Sequence, residues 1–240
     1  MWNRLLAVLF FLSFVSSPIL FGQRIYLVTA GVSNYPGVEN DLYLPANDAK
    51  AMHRLYKKNS SATSVLLTNA NATKRHILDE MKRVFSKARP NDIVVLYFSG
   101  HGAPGGFVAY DGFILYDEIR EVFGASNARN KMIFADACFA GDIREEERLG
   151  YVESKNNIML FLSCRSNEYS LESRSMKNGY FTACLVRAMK GGADSNRDRV
   201  ITALELFQAV NPTVAELTEG RQHPVMWGNF SNNMPVMVWK

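Results

Sequence analysis

Short apolar runs that alternate with amphipathic helical patterns predict an α/β fold, a three-layer α/β/α sandwich around a mostly parallel sheet. Two observations carry that expectation. Residues 92–98, 131–135 and 157–162 are almost wholly apolar, as strands are when helices cover both faces of their sheet. Between such runs, Ala49, Met52, Leu55 and Tyr56 recur at helical spacing, as do Ile77, Leu78, Met81, Val84 and Phe85. The chain has 240 residues, 48% hydrophobic and 21% charged, which suffices for one full core. Disorder, a collagen-like repeat and a disulfide-stapled miniprotein are excluded by that composition.

Taken in order, residues 24–30 read as a buried strand, ended by Gly31 and a loop to Pro45. The Ala49–Tyr56 pattern gives the first helix, and residues 64–68 a second strand. Asn71-Ala-Thr73 starts the second helix. The three apolar strands follow, then helices near 180–189 and 202–217 and a last strand at 235–239. No linker, repeat or low-complexity stretch interrupts this pattern, so residues 23–240 are expected to form one domain.

The N-terminus has a different character. One positive side chain, Arg4, precedes an apolar run over 5–15, which Ser16, Ser17 and Pro18 break. That pattern predicts a secretory signal peptide over residues 1–22, cut after Gly22, and hence an exported protein, periplasmic or extracellular. The apolar run is too short for a stable membrane span. Three cysteines remain, Cys138, Cys164 and Cys184, an odd number that leaves at least one thiol without a partner in the monomer. A spare thiol in an oxidising compartment raises the prior on a catalytic cysteine. Lys and Arg number 27 against 23 Asp and Glu, and no like-charge run exceeds three residues. A nucleic-acid partner is therefore not expected.

Two predicted strands end in unusual loops, Ser99-Gly-His101-Gly102 and Asp136-Ala-Cys138-Phe-Ala-Gly141. Sites in open α/β sheets form beyond the carboxyl ends of the strands, so both loops reach one edge. A thiol is only slightly ionised at neutral pH and needs an imidazole to take its proton. His101 and Cys138 supply that pair, and the Gly102 N–H can hold the oxyanion of a tetrahedral intermediate. Taken singly, His101 also reads as a hydrogen-bonded loop residue and Cys138 as a buried inert thiol; together they favour catalysis.

At these residues the sequence resembles a known family. Residues 97–102 and 136–141 resemble the histidine and cysteine blocks of caspase-like cysteine peptidases, closest to the metacaspase and bacterial orthocaspase branch. Residues 44–52, 162–170, 179–182 and 222–224 are similar to further blocks of that family. The resemblance implies the caspase–haemoglobinase fold, His101 as general base and acid, and Cys138 as nucleophile. It also implies that Asp48, Ser99 and Asp136 line the primary specificity pocket. Carboxylates there select a guanidinium or ammonium group, so protein or peptide substrates with Arg or Lys before the scissile bond are expected. A monomer is implied by the same resemblance. Asp48 also reads as an acid placed to favour a helix N-terminus.

No cofactor is required for this chemistry, but calcium has candidate positions. Asp194, Asn196, Asp198, the Val200 carbonyl, Thr202 and Glu205 have the ligand spacing of an EF-hand loop, with Arg199 where Gly is usual. The alternative is an acidic turn that caps the helix at Thr202. Asp111, Asp117 and Glu118 are calcium candidates by the resemblance alone. The charged stretch after the nucleophile offers Arg144, Arg148 and Lys155 for self-cleavage, or is simply a solvated loop. His53, His76 and His223 look ordinary. The leading expectation is an exported endopeptidase cutting after Arg or Lys. The alternatives are a catalytically silent scaffold or binding module, with or without calcium, and a peptide ligase.

Overall fold

A computed structural model describes residues 22–137, 158–165, 168, 170–173 and 175–239. Its central sheet is built from β1 (Ile25–Gly31), β2 (Ala62–Thr68), β3 (Ile93–Gly100), β7 (Asn130–Ala137), β8 (Ile158–Leu162) and β10 (Val225–Trp227). The spatial order is β10-β8-β7-β3-β1-β2. Five strands run parallel, and β10 closes one edge antiparallel to β8. Chain direction across the sheet reverses between β1, which is followed by β2 on one side, and β3 on the other. That reversal opens a crevice at the carboxyl edge, the usual place for a ligand site in an open α/β sheet.

Alternation along β3 explains the three layers. Val94, Leu96 and Phe98 join a core with Ile77, Met81 and Phe85 of α2 (Lys74–Phe85) and Ile119 and Phe123 of α3 (Tyr116–Gly124). Ile93, Val95 and Tyr97 face the opposite core. There they meet α1 (Pro45–Lys57), α4 (Tyr180–Arg187) and α5 (Ala203–Leu217). Successive strand side chains point to opposite faces, so an unbroken apolar strand feeds both cores at once. The expected α/β/α sandwich around a mostly parallel sheet is the fold observed.

The helices start where the sequence offers suitable ends. Pro45 opens α1, where its missing N–H costs no hydrogen bond. Thr73 caps α2 through its side chain, which accepts from His76 N at 3.2 Å. Thr202 and Glu205 form a reciprocal capping box at α5.

Three features depart from the sequence reading. Between β3 and β7 lies a small antiparallel sheet, β4 (Gly102–Ala103), β5 (Gly106–Val108) and β6 (Phe113–Leu115), followed by α3. This unit docks on β3 through Phe107, whose ring stacks on Phe98 at 4.5 Å between centroids. The last strand, β11 (Pro235–Val238), does not join the main sheet but pairs with β9 (Val200–Thr202). The helix expected to run to Met189 ends at Arg187, followed by a wider turn over Ala188–Gly192. The expected signal peptide, apart from Gly22, lies outside the described residues, as do Cys138 and the proposed cut positions Arg144, Arg148 and Lys155. Among the described residues no helix is long and apolar enough to cross a membrane.

Candidate active site

Parallel register places Ser99 of β3 beside Asp136 of β7, with Gly31 of β1 on the other side of Ser99. Asp48 comes from the first turn of α1 on the face that Ser99 points to. The three residues predicted for the pocket are therefore brought together. Asp48 and Ser99 are each 1% exposed and Asp136 is 6% exposed. Ser99 Oγ donates to Asp48 Oδ2 at 3.0 Å, and Asp48 Oδ1 accepts from Asn178 Nδ2 at 2.8 Å and from Gly179 N at 3.0 Å. Asp136 Oδ2 accepts from Thr182 Oγ1 at 2.6 Å and Thr182 N at 3.2 Å, while Oδ1 accepts from Ser170 Oγ.

Burial pushes the Asp48 carboxyl well up, and the charge of Asp136 pushes it further, against the bonds from Asn178, Gly179 and Ser99. Burial also raises Asp136, against the bonds from Ser170 and Thr182. Tyr97 lies beneath the pair with its hydroxyl 2.5 Å from Thr182 Oγ1. Burial and both carboxylates hold that phenol protonated. Since Thr182 Oγ1 donates to Asp136, the proton between Tyr97 and Thr182 belongs to Tyr97. No basic side chain among the described residues pairs with either acid.

Gly179 fixes the space between them. A Cβ there would sit 2.7 Å from Asp136 Oδ2 and 3.4 Å from Asp48 Oδ2. Any larger residue would intrude between the carboxylates. Above the pair, the Glu172 carboxylate accepts from Tyr43 N and Leu44 N, both at 3.1 Å, and so holds the entry to α1 from a distant part of the chain. Burial raises this carboxyl too, and the neighbouring Asp136 charge adds to it.

His101 follows β3 directly. Its Nε2 lies 2.8 Å from the Asn40 carbonyl, which can only accept, so the proton is on Nε2 and Nδ1 keeps its lone pair. The main chain of His101 is held by Tyr35, whose hydroxyl accepts from His101 N at 2.9 Å and donates to Val108 O at 3.0 Å. The Tyr35 ring is tilted against the imidazole at 4.9 Å. Burial holds the Tyr35 phenol well above its ordinary range, so it stays a donor. Gly100 makes this fit possible: its φ is 154°, and a Cβ would lie 2.6 Å from the Tyr35 hydroxyl. Val108 N donates to His101 O at 2.9 Å, and Tyr35 Oη bridges His101 N to Val108 O, so the two residues face each other at the end of the β4–β5 ladder. Gly102 is the next residue of an antiparallel ladder, so its N–H points away from β5. An outward N–H next to the imidazole is what an oxyanion donor requires. Beside His101 and Gly102, which line it, opens a cleft of about 450 Å³, also walled by Tyr35, Pro36, Asn40, Val108 and Tyr110.

The remaining candidates are dispersed. Asp111 accepts from Lys74 N at 2.7 Å, Asp117 pairs with Arg120 at 3.0 Å, and Glu118 pairs with Lys74 at 2.8 Å. Asp111 and Glu118 thus both engage Lys74, while Asp117 turns to Arg120. In the 194–205 loop, Asp194 accepts from Asp198 N and Arg199 N, Asp198 from Val200 N, and Glu205 from Ser195 and Thr202. Arg199 holds a φ of 67°, as a residue in the usual glycine position must. Among the described residues no three His, Cys, Asp or Glu side chains converge. His53 bonds Ser64, and His76 reaches the Asn71 carbonyl. His223 is less ordinary than expected, since its Nδ1 lies 2.8 Å from Glu168 Oε1. Ser170, Gly179 and Thr182 fall in blocks that resemble the family but were given no role from sequence, and Glu172 and Tyr35 were not singled out. Each acts through a tertiary contact that spacing cannot show.

Comparison with known proteins places this arrangement. The Peptidase C14 family, described as the caspase domain, matches residues 26–234. Metacaspase-1 of Candida albicans is 34% identical over 99 residues, which are 36% of this chain and 22% of that protein. The match thus spans about a fifth of that curated relative. Protein GSU0716 from Geobacter sulfurreducens superposes with a TM-score of 0.66 at 17% identity, covering 90% of this chain and 100% of that one. Caspase-1 from Spodoptera frugiperda gives 0.68 at 14% identity, covering 91% and 90%. With a family match across most of its length and a caspase-like fold, the chain belongs to the caspase-domain peptidases.

Proposed function

We propose that the chain is an exported cysteine endopeptidase that cuts peptide bonds after Arg or Lys. The observation that carries the specificity is the buried pair Asp48 and Asp136, which has no countercharge among the described residues. A buried acid without a countercharge is costly to ionise. A guanidinium or ammonium group entering between the two supplies that charge and takes up their remaining lone pairs. Gly179 leaves the room for it.

In the proposed reaction Cys138 gives its proton to His101, and the thiolate adds to the carbonyl carbon. The Gly102 N–H stabilises the resulting oxyanion. As the intermediate collapses, the C–N bond breaks and His101 passes its proton to the leaving amine. Water then hydrolyses the thioester, with His101 again as base. The bond from His101 Nε2 to Asn40 O supports this reading, because it orients the ring and leaves Nδ1 for the proton transfers. No cofactor enters any of these steps.

The test uses matched fluorogenic peptides ending in Arg, Lys or Asp, the chain from Gln23, and Cys138→Ala as control, with and without calcium. Cleavage after Arg and Lys that vanishes in Cys138→Ala is the expected result. Cleavage after Asp would overturn the pocket assignment. Silence on all three peptides would favour the scaffold reading. N-terminal sequencing of protein recovered outside the cytoplasm, expected to begin at Gln23, tests export. Size-exclusion chromatography tests the monomer.

A further inference from the structure

The cleft beside His101 is separate from the acid pocket. We propose that it receives the side chain of the residue on the leaving side of the scissile bond, and that it selects an aromatic or large aliphatic residue there. This rests on the peptidase reading for its geometry.

Position gives the first argument. Asp136 and Ser99 continue the alternation of Met132, Phe134, Val95 and Tyr97 on the face of the sheet that α1 covers, whereas Tyr35, Val108 and Tyr110 pack with the opposite core. The cleft lies on the other side, between the loop after β1 and the β4–β6 sheet, at the place where the topology reverses. Glu172 is within electrostatic reach of both Asp136 and His101, so the acid pocket and the imidazole are neighbours. A peptide with its basic side chain between the acids, and with the departing nitrogen at His101, must continue past the imidazole toward β1. The next side chain begins one bond beyond that nitrogen, at the mouth of the cleft.

Chemistry gives the second. Among the described residues no Asp, Glu, Lys or Arg side chain lines the cleft. The Gly102 N–H and His101 Nδ1 at its edge are the groups the proposed reaction uses, and the polar groups around Tyr35 are engaged with one another. Tyr35 Oη joins His101 N to Val108 O, the Asn40 carbonyl accepts from His101 Nε2, and the Gly112 carbonyl accepts from Ala109 N at 2.8 Å. Two tyrosine rings, a proline ring and aliphatic surface remain to meet a ligand. A charged side chain entering would lose water and find no partner. The volume, about 450 Å³, is at the lower end of pockets that hold small ligands, roughly 300–1,000 Å³, and takes a single large side chain.

The experiment uses two quenched peptides identical except after the Arg, with Phe in one and Ala in the other. Hydrolysis is measured with the wild-type chain, and affinity with full-length Cys138→Ala by fluorescence anisotropy. Filling an apolar slot of this kind is worth roughly 10–100-fold in kcat/KM, and the Phe peptide should lead by at least about tenfold in both readouts. Two variants test the location. A side chain at Gly112 would extend into open space with no atom within 4 Å of its Cβ, so Gly112→Trp should fill the cleft and bring both ratios close to one. Tyr110→Ala removes a wall and should reduce both ratios, which keeps the test decisive if circular dichroism shows Gly112→Trp unfolded.

Equal hydrolysis and equal affinity for the two peptides would overturn the proposal while leaving the peptidase reading intact. A Phe preference that survives both variants would overturn the placement. A preference in binding without any hydrolysis would sink the peptidase reading and keep the cleft. Absence of both hydrolysis and preference would sink both.

Discussion

In the proposed peptidase Asp48 and Asp136 are the residues on which specificity turns, and their ionisation sets a testable balance. Burial raises both carboxyl groups, so the folded chain binds their protons more tightly than the unfolded chain does. The stability they contribute is complete below the ordinary carboxylate pKa of about 4. It is lost as pH rises through the raised values. Asp48→Asn preserves the geometry: Oδ1 still accepts from Asn178 and Gly179, and the new amide can donate to Ser99 Oγ. At about pH 8 its Tm should match or exceed that of the wild type, whereas cleavage after Arg should fall by about 100-fold or more, as for a buried charge pair that loses one partner. A Tm several degrees below wild type at that pH would refute the ionisation argument. In the wild type, kcat/KM for Arg peptides should rise with pH through apparent values that belong to the pair and lie above the ordinary carboxylate range. An acid limb at the ordinary range would mean that the pair does not bind the substrate's charge.

At the scale of elements, the strap that carries Ser170 and Glu172 ties α1 to the mouth of the acid pocket. Ser33 Oγ accepts from Ala46 N as a cap of α1 would, and Glu172 adds acceptors for Tyr43 N and Leu44 N at the entry to the helix. Glu172→Ala should therefore cost about 1 kcal/mol, the usual net worth of such hydrogen bonds, read as a lower urea midpoint. Glu172→Gln, which keeps one acceptor, should recover part of it. An unchanged midpoint in Glu172→Ala would show that the strap does not hold the helix. Such contacts also explain what the sequence could reveal. The long apolar strands and amphipathic helices were legible because their periodicity is local. The β4–β6 sheet was not, since strands of two or three residues have too few positions to show alternation. α3 carries Ile119, Val122 and Phe123 at helical spacing, but Asp117 and Glu118 drew attention as ligands rather than as acids of a first turn. In the site, His101, Asp48, Ser99 and Asp136 were readable as motif residues. Thr182 and Gly179 lay in a family-like block without an assigned role and Tyr35 drew no notice, because a hydroxyl, a missing methyl and a phenol matter only once remote segments meet.

At the scale of the molecule, stability should be graded across the sheet. β1 and β3 are buried at every position, whereas β10 is half-buried and only three residues long. Amide hydrogen exchange should therefore be slowest in β3 and β1, open only by global unfolding, and be faster by orders of magnitude in β10. Equal protection of β10 and β3 would contradict this gradient. The same architecture gives the Tyr35 hydroxyl a mechanical role. It pins three separate pieces of main chain, the loop after β1, the end of β3 and the β4–β5 hairpin, at a single oxygen atom. A pin shared by three bodies makes them turn together. A side chain that pushes on the Tyr35 ring from the cleft therefore moves the imidazole with it, and in the proposed peptidase the departing half of a substrate would be a lever on the acid that frees it.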